Sequence, residues 1–332
     1  MDKIISKKVN VAFCFDENMW MHAGVAITSL LLNSKGLCRY DIYCVISSAV
    51  SLPFRRELAE LVKTQDPAST LNFVEANRDF DASYRSRYTI GTYYRMMLPR
   101  LLLNVDKVIY LDADMICCGP LSEIYEHDMT DYYIGGAPDI INTKSYWKKL
   151  QKGRLESSLR GGYVNAGFLL MNLKLIRESG LYEKWIEISK EKRYSYPDQD
   201  LFNVTCKDKI LRMPLRYNFA VWTRKEYEEP IADGVFSIEE YEEAVQNPLI
   251  LHYVPAKPWG VKVNMDALWW LYARKTPFYE YFMLDFITPK RVLKIGKLFS
   301  FIKVITVKVV GKNARYYLFG IIPLFRVKTV RI

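Results

Sequence analysis

The sequence predicts an α/β domain, a mostly parallel sheet crossed by helices, followed by a tail of a different kind. Over the first 115 residues, short apolar runs alternate with segments of helical periodicity, the pattern of strands joined by crossover helices. Acidic side chains, Asp16 and the pair Asp112 and Asp114, stand where two of those runs stop, the edge at which such sheets bind ligands. From Phe286 to Ile332 there are 11 Lys or Arg and no Asp or Glu.

"KVNVAFCFD" (8–16) reads as a buried strand ending at Asp16, and "WMHAGVAITSLLLNSKG" as a helix stopped by Gly36. "RYDIYCVIS" (39–47) is a second strand. "SLPFRRELAELVKTQ" is a helix with Ser51 as its cap and Pro53 in its first turn. "TLNFVEA" is a third strand, "IGTYYRMMLPRLL" a helix bent or ended by Pro99, and "DKVIYLDAD" a fourth strand. Further on, Pro120 opens a helix, "YYIGGAPD" runs as a strand to Asp139, and "GGYVNAGFLLMNL" (161–173) is a buried strand. "SYPDQDLFNVTC" turns helical, and "NPLILHYVPAKPWG" is a strand entering a Pro-rich turn.

A chain of 332 residues, half of them apolar and a quarter charged, can bury an ordinary core and form one large domain with an appendage, or two small domains. Its net charge of +10 is local: subtracting the eleven tail cations leaves −1 for residues 1–285. A nucleic-acid binder is therefore disfavoured, because the body has no basic excess and the tail mixes its cations with aliphatics. Dinucleotide dehydrogenases and P-loop NTPases lose ground too, since neither GxGxxG after the first strand nor GxxxxGK[ST] occurs. The N-terminal "MDKIISKKVNVAF" is too broken by Ser6, Lys7 and Lys8 for a signal peptide, and no 18-residue uncharged apolar window predicts a spanning helix. Six cysteines without a CxxC pair read as free thiols of a reducing cytoplasm.

"VIYLDADMICCGPL" carries the chemistry. If the strand continued through them, Asp112 and Asp114 would share a face. Two like charges so placed need a cation, and a hard divalent metal bridging them to a nucleotide diphosphate supplies one. The plain alternative is an acidic turn capping the next helix. The apolar "VIYL" favours the first reading by fixing the pair at the end of a core strand.

"VIYLDADMICCGPLSEIY" resembles the central motif of glycosyltransferase family 8, the retaining, metal-dependent group that includes lipopolysaccharide galactosyl- and glucosyltransferases. In the same order, "VAFCFDENM", "TYYRMMLPRLL", "YVNAGFLLMNL", "YPDQDLFN" and "LILHYVPAKPW" resemble the family's other motifs, from about residue 9 to residue 282. The resemblance implies a Rossmann-like, GT-A type catalytic domain (1–282) with a mixed, mostly parallel sheet. It implies Mn²⁺ or Mg²⁺ on Asp112, Asp114 and His252, with Lys257 at the diphosphate, Asp16 and Asn18 at the uracil or ribose, and Arg95 at the donor phosphate or sugar. Asp139, Asn165, Ala166, Asp198 and Gln199 would surround the transferred sugar, with Gln199 and Asp198 nearest the reaction. Read plainly, Arg95 is a surface salt bridge, His252 a structural histidine and Asp198 a helix cap. One departure stands out: His252-Tyr253-Val254-Pro255-Ala256-Lys257 is one residue shorter than the family pattern and has Pro in place of its Gly, removing a backbone N–H.

The implied reaction moves glucose or galactose from UDP-glucose or UDP-galactose to a hydroxyl of a surface or lipid-linked glycan. The alternative is a nucleotide-sugar-binding protein with little or no transfer. The tail (283–332) is expected to be basic and amphipathic, anchoring a cytoplasmic enzyme to the anionic inner face of the cell membrane; otherwise it is a lid whose lysines solvate a packed helix.

Overall fold

The computed structural model describes residues 7–76, 91–141, 143, 162–190, 194 and 196–287, and the backbone of 305–310, 313–318 and 322–328. Strand β1 (Lys7–Phe15) pairs in parallel with β2 (Cys38–Ile46) along its whole length, from Lys7↔Cys38 to Phe15↔Ile46. Strand β3 (Thr70–Glu75) extends the parallel array beyond β2, and β4 (Lys107–Leu111) flanks β1 on the other side, with Phe13 opposite Leu111. Helices α1 (Trp20–Asn33), α2 (Leu52–Gln65) and α3 (Gly91–Leu101) alternate with these strands. Both faces of the central strands are covered, so Val9, Val11, Phe13, Val108, Ile109 and Leu111 are all fully buried, which is why these segments read as unbroken apolar runs.

One strand beyond β4 runs the opposite way to the rest of the sheet. Strand β7 (Phe168–Asn172) lies antiparallel to β4, with Leu111 opposite Phe168, and β6 (Ile134–Gly136) and β8 (Ile210–Arg212) complete the order β3-β2-β1-β4-β7-β6-β8. A second sheet of β5 (Met115–Cys117), β10 (Ile250–His252) and β9 (Phe219–Ala220) stands in the order β5-β10-β9, placing His252 opposite Met115.

Local chemistry sets most boundaries. Gly36 (φ 78°) takes the left-handed conformation after α1. Pro99 sits in the last turn of α3, which ends two residues later. Ser51 occupies the cap position of α2, but its side chain makes no capping bond; Asn172 does cap the helix that follows β7, accepting from the Leu175 N–H at 3.0 Å. The strand expected over 161–173 is only Phe168–Asn172, and that expected to reach Asp139 is only Ile134–Gly136. In the first case the Gly167 N–H donates to the Asn165 side chain at 2.9 Å, diverting it from any ladder; beyond Gly136 pairing persists, among the described residues, only as an isolated antiparallel bridge, Pro138↔Val164.

Two compact units divide the chain, Met1–Pro277 and Phe278–Ile332. The second contains a helix, Tyr279–Ile287, and an antiparallel meander of β11 (Ile305–Val310), β12 (Asn313–Leu318) and β13 (Ile322–Lys328). These tail residues are strands, which overturns the packed-helix alternative for them. Among the described residues, no helix is long and apolar enough to cross a membrane.

Candidate functional site

Strand β4 stops at Leu111, and Asp112–Asp114 is a turn leading into β5. The two aspartates therefore do not share one face of a continuing strand. They converge because β5 leaves the main sheet and pairs with β10, which brings His252 beside them. His252 Nε2 is 3.4 Å from Asp114 Oδ1 and 4.0 Å from Asp112 Oδ2, and one ligand atom from each of the three lies within 4.8 Å of the others. Gly167 makes this approach possible: a Cβ there would meet His252 Cε1 at 2.4 Å and Asp112 Oδ2 at 3.0 Å.

The trio fits a divalent cation. His252 Nε2 and Asp114 Oδ1 are buried, and neither has a hydrogen-bond partner among the described residues. Such atoms cost about 1–3 kcal/mol each when left unsatisfied, a penalty that ligation removes. Two carboxylates and an imidazole are a donor set suited to Mn²⁺ or Mg²⁺.

Two protein cations already compensate the acids. Arg95, on α3, is 7% exposed, so the surface salt-bridge reading fails. Its Nη2 is 2.8 Å from Asp112 Oδ1, its Nε 3.2 Å from Asp198 Oδ2, and its Nη1 donates to the Ala166 carbonyl at 2.7 Å. Its guanidinium also stacks on Tyr110, whose hydroxyl donates to Asp112. Lys257 Nζ pairs with Asp114 Oδ2 and donates to the Tyr253 carbonyl at 2.7 Å. Burial pushes the Asp112 carboxyl upward, with Arg95 opposing and Asp114 reinforcing. Burial acts the same way on Asp114, but Lys257 and His252 outweigh it and hold that carboxyl well below the usual carboxylate range. Burial also disfavours the charge on Arg95, yet Asp112, Tyr110 and Asp198 keep its pKa above the ordinary arginine value.

On the facing wall, Asp139 Oδ2 accepts from Asn165 Nδ2 at 2.8 Å and Gln199 Nε2 at 2.9 Å, and Gln199 Oε1 accepts the Ala166 N–H at 3.0 Å. Asp198 stands at the N-cap of the helix Gln199–Cys206 without making a capping bond; its carboxylate is turned to Arg95 instead. The remaining motif residues fasten the wall. Asp200 accepts from the Tyr163 hydroxyl at 2.5 Å and the Tyr196 N–H at 3.0 Å, while Asn203 bonds both backbone groups of Val164.

These walls enclose a cleft of about 660 Å³, the size of a small-molecule site. Every sequence-predicted site residue lines it except Asp16 and Asn18. Those two form a turn at the end of β1, where the Asn18 N–H donates to Asp16 Oδ1 at 3.0 Å, with Asp16 buried and Asn18 exposed. Sequence reasoning missed Tyr110, Gly167, Asn218 and Trp222. Tyr110 and Gly167 lie inside quoted motifs, whereas Asn218 and Trp222 carry no signal of spacing. Pro255 faces the cleft, so the departure from the family's Gly falls within the site.

Gly167→Ala is expected to lower turnover at least about tenfold by displacing the His252 ring, while overpacking costs about 1–3 kcal/mol of stability and leaves the circular dichroism spectrum native. Unchanged turnover would mean that the ring can move freely.

The family model for glycosyl transferase family 8 matches residues 10–262. A lipopolysaccharide 1,2-glucosyltransferase of Escherichia coli K12 is 28% identical over 260 residues, covering 76% of this chain and 73% of that protein. A lipopolysaccharide 1,3-galactosyltransferase of Salmonella typhimurium LT2 is 26% identical over 259 residues, with the same coverage. Among solved structures, the galactosyltransferase LgtC in complex with donor and acceptor sugar analogues superposes with a TM-score of 0.67 at 22% identity, covering 86% of this chain and 99% of that one. The bifunctional glycosyltransferase WbbM in its apo form gives 0.70 at 21% identity, over 86% of this chain and 53% of that one. The fold is thus of the GT-A type, and the chain belongs to glycosyl transferase family 8.

Proposed function

We propose that this chain transfers glucose or galactose from a UDP-sugar to a hydroxyl of a lipopolysaccharide or related surface glycan, with retention at the anomeric carbon. The convergence of Asp112, Asp114 and His252 on one floor of the cleft carries this reading, and the names of the two relatives support the hexose and the glycan. Asp112, Asp114 and His252 would hold Mn²⁺ or Mg²⁺, which supplies positive charge against the diphosphate as the sugar–phosphate bond breaks. Lys257, beside Asp114, adds a point charge where the leaving group becomes negative. Arg95 locks Asp112 to Asp198 and so holds the cation floor and the sugar wall at a fixed distance. Asp139, Asn165, Ala166 and Gln199 would bind the sugar hydroxyls, and Asp16 and Asn18 the nucleoside end.

Retention needs either a protein nucleophile or attack from the face that UDP leaves. Gln199 is a neutral amide engaged by Ala166 and Asp139, and Asp198 is ion-paired with Arg95, which supports front-side attack. In that step the acceptor oxygen bonds to the anomeric carbon, the bond from that carbon to the phosphate oxygen breaks, and the acceptor proton passes to the phosphate. Pro255 in the cleft favours a second reading, donor binding without transfer, because it offers no amide N–H.

We further propose that residues 1–282 are the catalytic part of a cytoplasmic enzyme, and 283–332 a segment that associates with the inner membrane face. In the tail meander, the register aligns Lys308, Arg315 and Arg326 in one cross-strand row and Val307, Tyr316 and Phe325 in the next. The mixture of basic and apolar residues along these strands supports a segment drawn to an anionic membrane surface.

Asp112→Ala and Asp114→Ala should each lower Mn²⁺-dependent UDP release about a hundredfold or more, and a chelator should do the same to the parent protein; full rate with chelator present would sink the metal role. Adding an acceptor glycan should accelerate UDP release, and an acceptor-independent rate would favour binding without transfer. Intact-mass spectrometry with donor alone should show no hexose adduct; a trapped adduct would establish double displacement. Truncation after Phe286 should abolish sedimentation with anionic vesicles, and unchanged sedimentation would refute the membrane role.

A further inference from the structure

We propose that Asn218 is a positioning residue that sets the tautomer of His252, and that Asp139 dictates its orientation through Asn165. The metal-affinity part of this proposal rests on the function proposed above; the tautomer does not.

The hydrogens can be followed along a row that runs from buried Asp139 through half-buried Asn165 to buried Asn218 and His252. Asp139 Oδ2 accepts two bonds, from Asn165 Nδ2 at 2.8 Å and Gln199 Nε2 at 2.9 Å, and Asp139 Oδ1 accepts the Ile141 N–H at 2.9 Å. The amide nitrogen of Asn165 is therefore directed at Asp139 and its oxygen away. An unambiguous backbone donor confirms this orientation, since the Gly167 N–H reaches Asn165 Oδ1 at 2.9 Å. Asn218 meets that same oxygen at 3.0 Å and must present its own NH₂. Its Oδ1 is then left facing His252 Nδ1 at 2.9 Å, and only an N–H at Nδ1 can complete the contact.

Ligation of a cation requires the neutral imidazole, which carries one N–H; with that hydrogen on Nδ1, the lone pair is on Nε2. That is the buried nitrogen 3.4 Å from Asp114 Oδ1 that has no hydrogen-bond partner among the described residues. The opposite tautomer would set the Nδ1 lone pair against the Asn218 oxygen. Rotating Asn218 to relieve that clash would set two oxygens together at Asn165. With Asn218, His252 and Asp139 all 5% exposed or less, water does not readily substitute for the lost bonds. Gln199 shares the same carboxylate, so one group, Asp139, orients both the nitrogen offered to the cation and the amide on the sugar wall.

The chain has three histidines, His22, His127 and His252, so ¹⁵N-histidine spectra of the metal-free full-length protein at about pH 8 are readable residue by residue. The parent protein should show His252 protonated at Nδ1 and bare at Nε2. Asn218→Leu, close in size but unable to accept, should lose that signature and bind Mn²⁺ alone about 10–100-fold more weakly by calorimetry. Asn218→Asp keeps the acceptor toward His252 and should restore both, while raising the KM for the donor because two oxygens now meet at Asn165. A parent spectrum with the proton on Nε2 overturns the proposal, even if Asn218→Leu fails to fold. So does an Asn218→Leu protein whose spectrum and Mn²⁺ affinity are unchanged. An Nδ1-protonated His252 in a protein that binds no Mn²⁺ would uphold the tautomer assignment and refute the metal site of the proposed function.

Discussion

Two carboxylates held two residues apart in a desolvated turn are the constraint around which the site is arranged. Asp112 and Asp114 repel each other, and burial removes the water that would screen them. The compensation comes from two remote segments: Arg95 on α3 and Lys257 in the loop beyond β10. Removing one partner of a buried pair generally costs about 3–5 kcal/mol, so Arg95, whose side chain is 9% exposed, ties α3 to the turn far more firmly than a surface contact would. The same charges that stabilise the turn are those that a diphosphate would meet.

The single reversed strand, β7, delivers these groups to one place. Parallel strands present their carboxyl ends along a single edge, where β4 ends at the acidic turn. Because β7 is antiparallel to β4, it begins at that edge, and the loop preceding it lies against the turn; the Asp112 N–H donates to the Gly167 carbonyl at 2.9 Å. The small sheet then completes the floor, since β5 follows directly from the turn and draws β10 with it. A single topological switch thus places the acidic turn, the Gly167 loop and His252 within bonding distance.

Much of this was legible before any coordinates. The central strands β1 and β4 were readable from apolar runs because both faces are buried, whereas β3, at the sheet edge, is not buried on either face; the D-x-D pair, His252, Lys257 and the Gln199 segment were readable from ordered motifs. Other features were not. Ser51 has the composition of a cap but forms no capping bond, since a residue type permits that bond without requiring it. The run 161–173 is apolar enough for one long strand, yet Asn165 captures the Gly167 N–H and shortens it. Arg95 resembled any helix-surface arginine until its burial against Asp112 and Asp198 was seen. Asn218, in "LRYNFAVW", lies outside every motif, and its meaning resides wholly in which atoms it faces.

The sequence by itself determined the α/β class, the alternation of strands and helices in the first half, the acid pair at a strand's end, the family and the charged residues that line the cleft. The class, the segments and the acid pair follow from periodicity and short-range spacing, which are local properties of the chain; the family and the cleft residues follow from the resemblance of ordered motifs. Only the tertiary structure decided which oxygen faces which nitrogen: that Asp198 serves Arg95 and not its own helix, and that His252 presents Nε2. Those outcomes depend on distant partners: Arg95 and Asp198 are 103 residues apart (198 − 95), and Asn218 lies 53 residues from Asn165 and 34 from His252. Hydrogen-bond direction is set by the atom that packing places opposite, and local spacing carries no information about it.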